Sequence, residues 1–340
     1  MKNSLPLAIT LGDPAGIGPE IIAMAFRDAP EAMRGCFVAG EPGCLRRGAG
    51  FAAGQGIPLP VAQIAAPGDL AQVPPRCIPL LPVTRCDGAL PMVGHVSAQA
   101  GRIAADCVTW AARAALRGDI AGLVTAPLHK EALSAAGVRF PGHTELLQAE
   151  AAAHLGVPVA QLPVRMMLAN DELRTVLVSI HLSLRAAIEA VTRDNVLQTL
   201  RIAHASLTAL LGRAPRIAVA GLNPHAGEGG LFGREELEII VPALAGGRAE
   251  GIDAQGPFAP DTVFMRARRG EFDAVVAMYH DQGLIPVKYL GVEQGVNVTL
   301  GLPLVRTSPD HGTAFDIAGT GKADASSLVA AVRMARRLAA

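Results

Sequence analysis

Short apolar runs alternate with longer segments of helical periodicity along the whole chain. The runs are rich in Val, Ile, Ala and Leu and are bounded by polar or turn residues, which is typical of strands buried on both faces of a parallel sheet. They cover residues 7–11, 36–39, 120–125, 164–168, 176–180, 217–220 and 274–278, and the strongest helical segments are 98–117 and 192–211. This alternation predicts an α/β fold.

Composition narrows the class of protein. A chain of 340 residues is long enough for two domains or one large α/β unit. Half of the residues are hydrophobic but only 4% are aromatic, so the core is expected to consist of aliphatic side chains. The Gly- and Pro-rich stretch 54–91 breaks the periodicity and predicts loops with edge strands.

Charge and cysteine content exclude several functions. Thirty basic and thirty acidic residues cancel, so the chain lacks the basic surface of a nucleic-acid or membrane-surface binder, and a small-molecule partner is favoured. No apolar stretch is long enough to span a bilayer and no signal core follows the first residues, which predicts a cytoplasmic protein. The five cysteines form no C-x-x-C pair and are interpreted as reduced structural thiols.

Three of the apolar runs lead into a histidine. Because ligands bind beyond the carboxyl ends of strands in an open parallel sheet, the three imidazoles are expected to face one crevice. Imidazole is a common zinc ligand, and three ligands leave one position open for catalysis. The alternative is that each histidine only caps its strand. The repeated placement favours a metal site formed by His181, His225 and His280.

Further motifs indicate an anionic ligand. Residues 141–145 (Pro-Gly-His-Thr-Glu) predict either a simple helix cap or a phosphate site formed by His143, Thr144 and the amino terminus of the helix. Lys288, Asn297 and Arg306 follow His280, and cationic side chains near a metal suit a carboxylate or phosphate. Arg306 is interpreted as lying at another strand end. A surface role is the alternative for Lys288.

The first glycine-rich turn and the carboxylates carry weaker signals. Gly12-Asp-Pro-Ala-Gly-Ile-Gly-Pro-Glu20 predicts a strand, a tight turn and a helix, and it matches neither a Rossmann fingerprint nor a P-loop. Four glycines in residues 223–233 suggest close approach of the backbone to a ligand. Asp261 and Asp281 are candidates for metal-ligand orientation or proton transfer.

Together these segments resemble the 4-hydroxythreonine-4-phosphate dehydrogenase family of the pyridoxal phosphate pathway. The resemblance runs through nearly the whole chain. It is carried by residues 12–20, 141–145, 221–230 (Gly-Leu-Asn-Pro-His-Ala-Gly-Glu-Gly-Gly), 278–283 (Met-Tyr-His-Asp-Gln-Gly), 295–303 and 306–313.

The resemblance implies a fold of the isocitrate and isopropylmalate dehydrogenase type, with two α/β domains and a cleft between them. The expected domains are residues 1–130 with 295–340, and residues 131–294, the second carrying the metal ligands and the dimer interface. Family metal ligands fall on the three histidines above, and both subunits of a homodimer contribute to each site. The substrate-binding positions fall on His143, Thr144, Lys288, Asn297 and Arg306.

The resemblance also implies the cofactor. Residues 310–322 look like the adenosine-binding loop of isopropylmalate dehydrogenases, and Phe315 stands where those relatives usually carry proline. The expected cofactor is NAD or NADP, with NAD favoured by the charge of Asp316. The expected metal is zinc, magnesium or cobalt. The predicted cofactor-binding residues are His311, Gly312, Thr313, Asp316 and Ile317.

The activity that this resemblance implies is oxidation of the C3 hydroxyl of 4-phosphooxy-L-threonine. The product, 2-amino-3-oxo-4-phosphooxybutanoate, loses carbon dioxide to give 3-amino-2-oxopropyl phosphate. Asp261, Asp281 and Lys288 are the candidate catalytic residues. A paralogous dehydrogenase for 4-phospho-erythronate or 4-phospho-threonate is one alternative. A metal-dependent hydrolase or aldolase is another, as is a binding protein without activity.

Overall fold

The structure is a computed structural model that describes residues 5–291 and 294–340. Its strands are β1 (Leu7–Thr10), β2 (Cys36–Gly40), β3 (Val61–Gln63), β4 (Ile78–Pro82), β5 (Gly122–Thr125), β6 (Arg165–Ala169), β7 (Arg174–Leu177), β8 (Ile217–Ala220), β9 (Ala254–Phe258), β10 (Ala274–Ala277), β11 (Val296–Leu300) and β12 (Arg306–Pro309). Its α-helices are α1 (Gly18–Asp28), α2 (Pro30–Met33), α3 (Pro42–Ala53), α4 (Ala98–Leu116), α5 (Lys130–Ala135), α6 (His143–Leu155), α7 (Leu184–Ala190), α8 (Arg193–Leu211), α9 (Val241–Ala249), α10 (Pro260–Arg268), α11 (His280–Tyr289) and α12 (Ser326–Ala339).

The chain divides into two compact units. Unit 1 comprises Met1–Leu162 and Leu302–Ala340. Its strands lie in the order β3-β4-β2-β1-β5-β12, and all the recorded pairs of neighbours are parallel. Phe37, Val108 and Leu123 are fully buried in a core between this sheet and its helices. The Pro-rich stretch supplies the edge strand β3 and its neighbour β4, as its composition predicts.

Unit 2 comprises Pro163–Gly301, and its strand order is β11-β6-β7-β10-β8-β9. Strands β7, β10, β8 and β9 are parallel, whereas β6 is antiparallel to both β7 and β11. The core packs Leu168, Val275 and Phe264 from different elements. Unit 2 therefore has a mixed sheet, although its parallel half carries the three strands that precede the predicted metal ligands.

The unit boundaries differ from the domain boundaries that the sequence analysis placed at 130/131 and 294/295. Helix α6 belongs to unit 1 because Leu146 and Leu147 pack into the same core cluster as Val108 of α4. Strand β11 belongs to unit 2 because it pairs with β6 along its length, from Val296 opposite Ala169 to Leu300 opposite Arg165. Within the described ranges, no helix combines the length and apolar character needed to cross a membrane.

Candidate active site

The three histidines of unit 2 follow strands that are neighbours in space. Strand β10 is parallel to β7 on one side and to β8 on the other. Their carboxyl ends therefore share one edge of the sheet. His181, His225 and His280 lie a few residues beyond these ends. The prediction that the three runs are parallel strands ending at one edge is confirmed.

Two buried side chains connect these strand ends. Ser179 Oγ donates to the carbonyl of Met278 at 2.9 Å, which joins the end of β7 to that of β10. Gln282 accepts from Met278 N at 2.7 Å and donates to the carbonyl of Gly221 at 2.8 Å, which joins β10 to the end of β8. The sequence analysis did not single out either residue, although Gln282 lies inside the motif 278–283.

Two of the predicted metal ligands lie together. The rings of His181 and His280 have centroids 5.7 Å apart and, with Tyr279 and Ile180, line an open pocket of about 300 Å³. Asp281 Oδ1 lies 2.7 Å from His280 Nδ1. A carboxylate can only accept here, so it favours the tautomer with the proton on Nδ1 and leaves Nε2 free to bind a metal. Asp281 therefore contacts His280, and its role in orienting a metal ligand stays a prediction.

His225 is placed differently. Its ring packs near Phe232, with centroids 6.1 Å apart, and its backbone has a left-handed conformation with φ +51°. Among residues 5–291 and 294–340, no group of three or more His, Cys, Asp or Glu side chains is arranged to hold a metal ion. The structure of one chain therefore brings His181 and His280 together but does not add His225 to them.

The remaining predicted residues of unit 2 are spread over three elements. Asp261 is exposed in the first turn of α10, and Lys288 is half-buried near the end of α11, about two turns after His280. Asn297 is half-buried on β11, opposite Leu168 of β6. These positions leave the roles of Asp261, Lys288 and Asn297 as predictions.

Unit 1 contains the other predicted binding residues. Helix α6 begins at His143, and the preceding Gly142 offers no side-chain cap to the N–H groups of the first turn. Such uncapped N–H groups attract anions. Nε2 of His143 is buried and has no hydrogen-bond partner among the described residues. Burial, reinforced by the charge of Arg306, holds the pKa of His143 well below its ordinary value, so this imidazole is neutral at pH 7.

Arg306 supplies the positive charge of this region. Its side chain is only 4% exposed, and its guanidinium donates to Thr125 Oγ1 at 2.8 Å and 3.2 Å. Burial lowers the pKa of Arg306 to about 10, which still leaves it charged at neutral pH. The prediction that Arg306 lies at a strand end is wrong: β12 begins at this residue, because the preceding segment 301–305 contains Gly and Pro and does not form a strand.

The predicted cofactor loop of unit 1 packs against the first glycine-rich turn. Ile17 N donates to the carbonyl of Thr313 at 2.9 Å, and a Cβ on Gly16 would lie 2.7 Å from the same oxygen. Glu20 is 1% exposed and accepts hydrogen bonds from the backbone N–H groups of Gly319 and Gly321. The sequence analysis quoted Glu20 only as part of a motif, so its contact with this loop was missed.

Two other features shape the loop. The ring of Phe315 stacks on His129, with centroids 4.8 Å apart and planes 16° apart, so an aromatic contact orders the position where related enzymes usually have proline. His311 Nδ1 lies 3.0 Å from the carbonyl of Gly312, while its Nε2 is buried and unpartnered within the described part of the chain. Asp316 is exposed and Ile317 is half-buried.

Histidine-bearing loops beyond parallel strands, with a buried arginine beside a helix amino terminus, define the chain as an α/β enzyme. Comparison with known proteins identifies the family. The model of the family described as "Pyridoxal phosphate biosynthetic protein PdxA" matches residues 32–335. The chain belongs to this family.

Similar proteins cover the whole chain. It is 54% identical to 4-hydroxythreonine-4-phosphate dehydrogenase of Beijerinckia indica over 98% of this chain and 95% of the relative. It is 44% identical to D-threonate 4-phosphate dehydrogenase of Salmonella typhimurium over 98% of both. The crystal structure of 4-hydroxythreonine-4-phosphate dehydrogenase from Klebsiella pneumoniae is similar with a TM-score of 0.87 and 41% identity, covering 99% of this chain and 100% of that one. The predicted α/β fold class and dehydrogenase family are confirmed.

Proposed function

We propose that the chain is a metal-dependent dehydrogenase that oxidises the C3 hydroxyl of 4-phosphooxy-L-threonine. The product, 2-amino-3-oxo-4-phosphooxybutanoate, is a β-keto acid that decarboxylates to 3-amino-2-oxopropyl phosphate. The observation that carries this proposal is the arrangement of the buried Arg306 and the half-buried His143, whose Nε2 is buried, at the uncapped start of α6. A permanent positive charge, a neutral imidazole with an unpartnered nitrogen and free N–H groups suit a phosphate. The names of the relatives support the rest of the substrate.

Five residues are proposed to bind the substrate. In unit 1, Arg306, His143 and Thr144 bind the phosphate, which supplies binding energy remote from the reacting hydroxyl. Lys288 and Asn297 of unit 2 are also proposed to bind the substrate. Asp261 and Lys288 are the residues proposed for proton transfer. A cytoplasmic location fits a reaction that uses small soluble metabolites.

The proposed metal site uses the three histidines of unit 2. Three imidazole nitrogens suit zinc or cobalt better than magnesium, which prefers oxygen ligands. The contact of His280 Nδ1 with Asp281 leaves Nε2 of that ring directed away from the carboxylate. A metal held there would supply Lewis-acid chemistry that polarises the substrate hydroxyl and lowers its pKa, and a nicotinamide cofactor would serve as the hydride acceptor. Asp281 holds the ring of His280 in the tautomer that this role requires.

The proposed site is completed in a homodimer. His181 and His280 lie together in one chain, while His225 lies in a separate loop. Exposed apolar side chains flank both regions: Leu184 is 61% exposed in the helix after His181, and Leu231 is 74% exposed in the loop of His225. Apolar side chains exposed beside candidate ligands support an interface between two copies.

The proposed cofactor site lies on residues 310–322. The unpartnered Nε2 of His311 and the exposed carboxylate of Asp316 are the polar groups proposed to bind a dinucleotide. The other proposed cofactor-binding residues are Gly312, Thr313 and Ile317. The carboxylate of Asp316 can accept from ribose hydroxyls and repels a 2′-phosphate, so NAD is the proposed cofactor rather than NADP.

A second candidate is oxidation of 4-phospho-D-threonate or 4-phospho-D-erythronate. The observation that favours it is that relatives with 44% and 43% identity are named D-threonate 4-phosphate dehydrogenase. These substrates share the phosphate and differ by a hydroxyl in place of the amine, so the phosphate-binding residues do not separate them.

The deciding experiment measures reduced nicotinamide by its absorbance with each of the three phosphorylated acids. We expect the highest kcat/KM for 4-phosphooxy-L-threonine, loss of turnover with a chelator and recovery on adding zinc or cobalt. A higher kcat/KM for a hydroxy acid would favour the second candidate, and turnover that survives the chelator would remove the metal from the proposal.

Subunit sharing is tested by mixing inactive variants. Pairs of alanine variants at the three histidines are refolded together, and activity returns only if the two replaced ligands belong to different chains in one site. The pair that fails to recover identifies the two ligands on the same chain. Failure of all pairs would contradict a shared site.

A further inference from the structure

The loop that carries His225 has an unusual backbone. Residues 225–229 all have positive φ, with values of 51°, 54°, 79°, 42° and 66°. Gly227 and Gly229 adopt this left-handed region readily, but His225, Ala226 and Glu228 do so at a steric cost. Consecutive strained residues persist only where surrounding contacts hold them. The loop therefore needs a specific support.

The support is the buried carboxylate of Glu236, which is 2% exposed. Its Oε1 accepts from the backbone N–H groups of Leu222 and Asn223, both at 2.7 Å. Its Oε2 accepts from Asn223 Nδ2 at 3.0 Å. All three bonds go to the segment that enters the loop, immediately before His225.

Glycines allow the carboxylate to lie directly against the loop. A Cβ on Gly227 would lie 2.6 Å from Glu236 Oε2, and a Cβ on Gly221 would lie 2.8 Å from the Cα of Ala226. Both substitutions would therefore force the loop and the carboxylate apart. Glu236 itself begins a π-helical turn, Glu236–Ile240, a form of helix that is frequent at functional sites.

We propose that Glu236 is a positioning residue that holds the segment before the loop and so keeps residues 225–229 in the left-handed conformation required for His225 to bind the metal. The inference rests on the proposed function, because a fixed position of His225 matters only if His225 is a metal ligand. Glu236 acts through the backbone and Asn223, and its two oxygens already accept three hydrogen bonds inside the protein.

The test compares Glu236→Gln with Glu238→Gln in the full-length protein. Glu238 is exposed two residues further along and pairs with Arg234 on the surface, so it controls for loss of a carboxylate in the same helix. Glu236→Gln keeps the size of the side chain but replaces one acceptor oxygen by an NH₂ group. Asn223→Ala removes the side-chain donor that bonds to Glu236 Oε2. This variant replaces Glu236→Gln in the test if Glu236→Gln does not fold.

Three measurements separate positioning from general stability. In the metal-free protein, we expect amide hydrogen exchange in residues 222–230 to be roughly tenfold faster or more in Glu236→Gln than in the control, with unchanged exchange in strands β7 and β10. Isothermal titration with Co²⁺ should show an affinity roughly 10- to 100-fold lower. In steady-state kinetics, kcat should fall while the KM for the phosphorylated substrate stays close to that of the control.

The outcomes distinguish this inference from the proposed function. His225→Ala is titrated with Co²⁺ in parallel. If His225→Ala loses the metal but Glu236→Gln and Asn223→Ala bind it like the control, the positioning role of Glu236 is overturned and the metal site stands. If His225→Ala retains full affinity, the assignment of His225 as a ligand fails, and with it the reason for positioning that loop.

Discussion

Replacing Arg306 by lysine should impair substrate use far more than it impairs folding. The guanidinium is buried and donates twice to Thr125 Oγ1, at 2.8 Å and 3.2 Å. Lysine keeps the positive charge but loses the planar fork, so it can no longer contact Thr125 and a phosphate with several directed N–H groups. The substitution therefore tests the geometry of the charge and not its presence.

The structure supplies the magnitude. Burial lowers the pKa of Arg306 to about 10. At about 1.4 kcal/mol per pH unit, the folded protein disfavours this charge by about 3 kcal/mol before any ligand binds. At neutral pH, Arg306 is protonated in both the folded and the unfolded protein, so the cost of burying its charge does not change with pH there. This cost is relieved only above about pH 10, where the folded protein begins to lose the proton. The proposed phosphate would offset this cost, so Arg306 is expected to contribute to binding more than to stability.

The expected loss in binding follows from its hydrogen bonds. Bonds that involve a charged group contribute about 1.5–3 kcal/mol, so kcat/KM for the phosphorylated substrate should fall roughly 10- to 100-fold. The free energy of unfolding, measured by urea denaturation at neutral pH, should change by less than about 1 kcal/mol. Steady-state kinetics at several substrate concentrations will show whether KM carries the loss.

Arg165→Lys is the matched control. Arg165 in unit 2 is half-buried and donates to Thr199 Oγ1 at 2.7 Å and Gln198 Oε1 at 2.8 Å, the same kind of environment without a predicted role in binding. This variant should show a similarly small change in the free energy of unfolding and should keep its KM. If Arg306→Lys showed the same pattern as Arg165→Lys, Arg306 would be a structural residue and the phosphate site would have to be placed elsewhere.

Three other predictions address the metal, the cofactor and stability. Alanine at His181, His225 or His280 should lower turnover at least about 100-fold, and the variant should retain no zinc after gel filtration. A variant that keeps one zinc ion per site would exclude the replaced histidine as a ligand. Asp316→Asn should improve kcat/KM with NADP relative to NAD by about fivefold or more, since like charges about 4 Å apart repel by about 1 kcal/mol even in water; an unaltered ratio would place Asp316 away from the ribose. Asp273→Asn should cost about 2 kcal/mol of unfolding free energy at neutral pH, because hydrogen bonds from Arg213 hold the pKa of Asp273 below its ordinary range. Because the pKa of Asp273 is lower in the folded than in the unfolded protein, its carboxylate stabilises the fold above the unfolded pKa, and this stabilisation is lost as the pH falls. The free energies of unfolding of the parent and Asp273→Asn, measured by urea denaturation, should therefore converge below about pH 4. A difference that stays constant with pH would contradict this origin.

Local sequence patterns predicted seven of the twelve described strands and the two longest helices. The run 217–220 is a strand with the same bounds in the structure, and the helical segment 98–117 differs from α4 by one residue at its end. Such agreement is expected where an apolar run or a helical period is long and unbroken, because burial of one face decides the element. Strand β9 escaped prediction because Gly256 and Pro257 interrupt it.

The same patterns identified part of the candidate site. The histidines after β7 and β10 could be predicted to lie together because parallel strands end at one edge of a sheet. The sequence pointed to His143 and Thr144 as well, through the turn and the Thr/Glu helix start in residues 141–145. Arg306 was singled out for its charge, but its position at the beginning of β12 was not foreseen.

The sequence by itself determined the α/β class, the strand-end histidines and the glycine-rich turns, because each depends on residues close together in the chain. Only the tertiary structure decided that Arg306 is buried against Thr125, 181 positions away, and that Glu236 and Gln282 hold the loops beyond β8 and β10. The role of a single buried carboxylate or amide cannot be read from the spacing of residues along the sequence. It depends on which hydrogen-bond partners the packed strands bring to it. Those partners are chosen by the order and register of strands across the sheet, which are long-range properties of the folded chain.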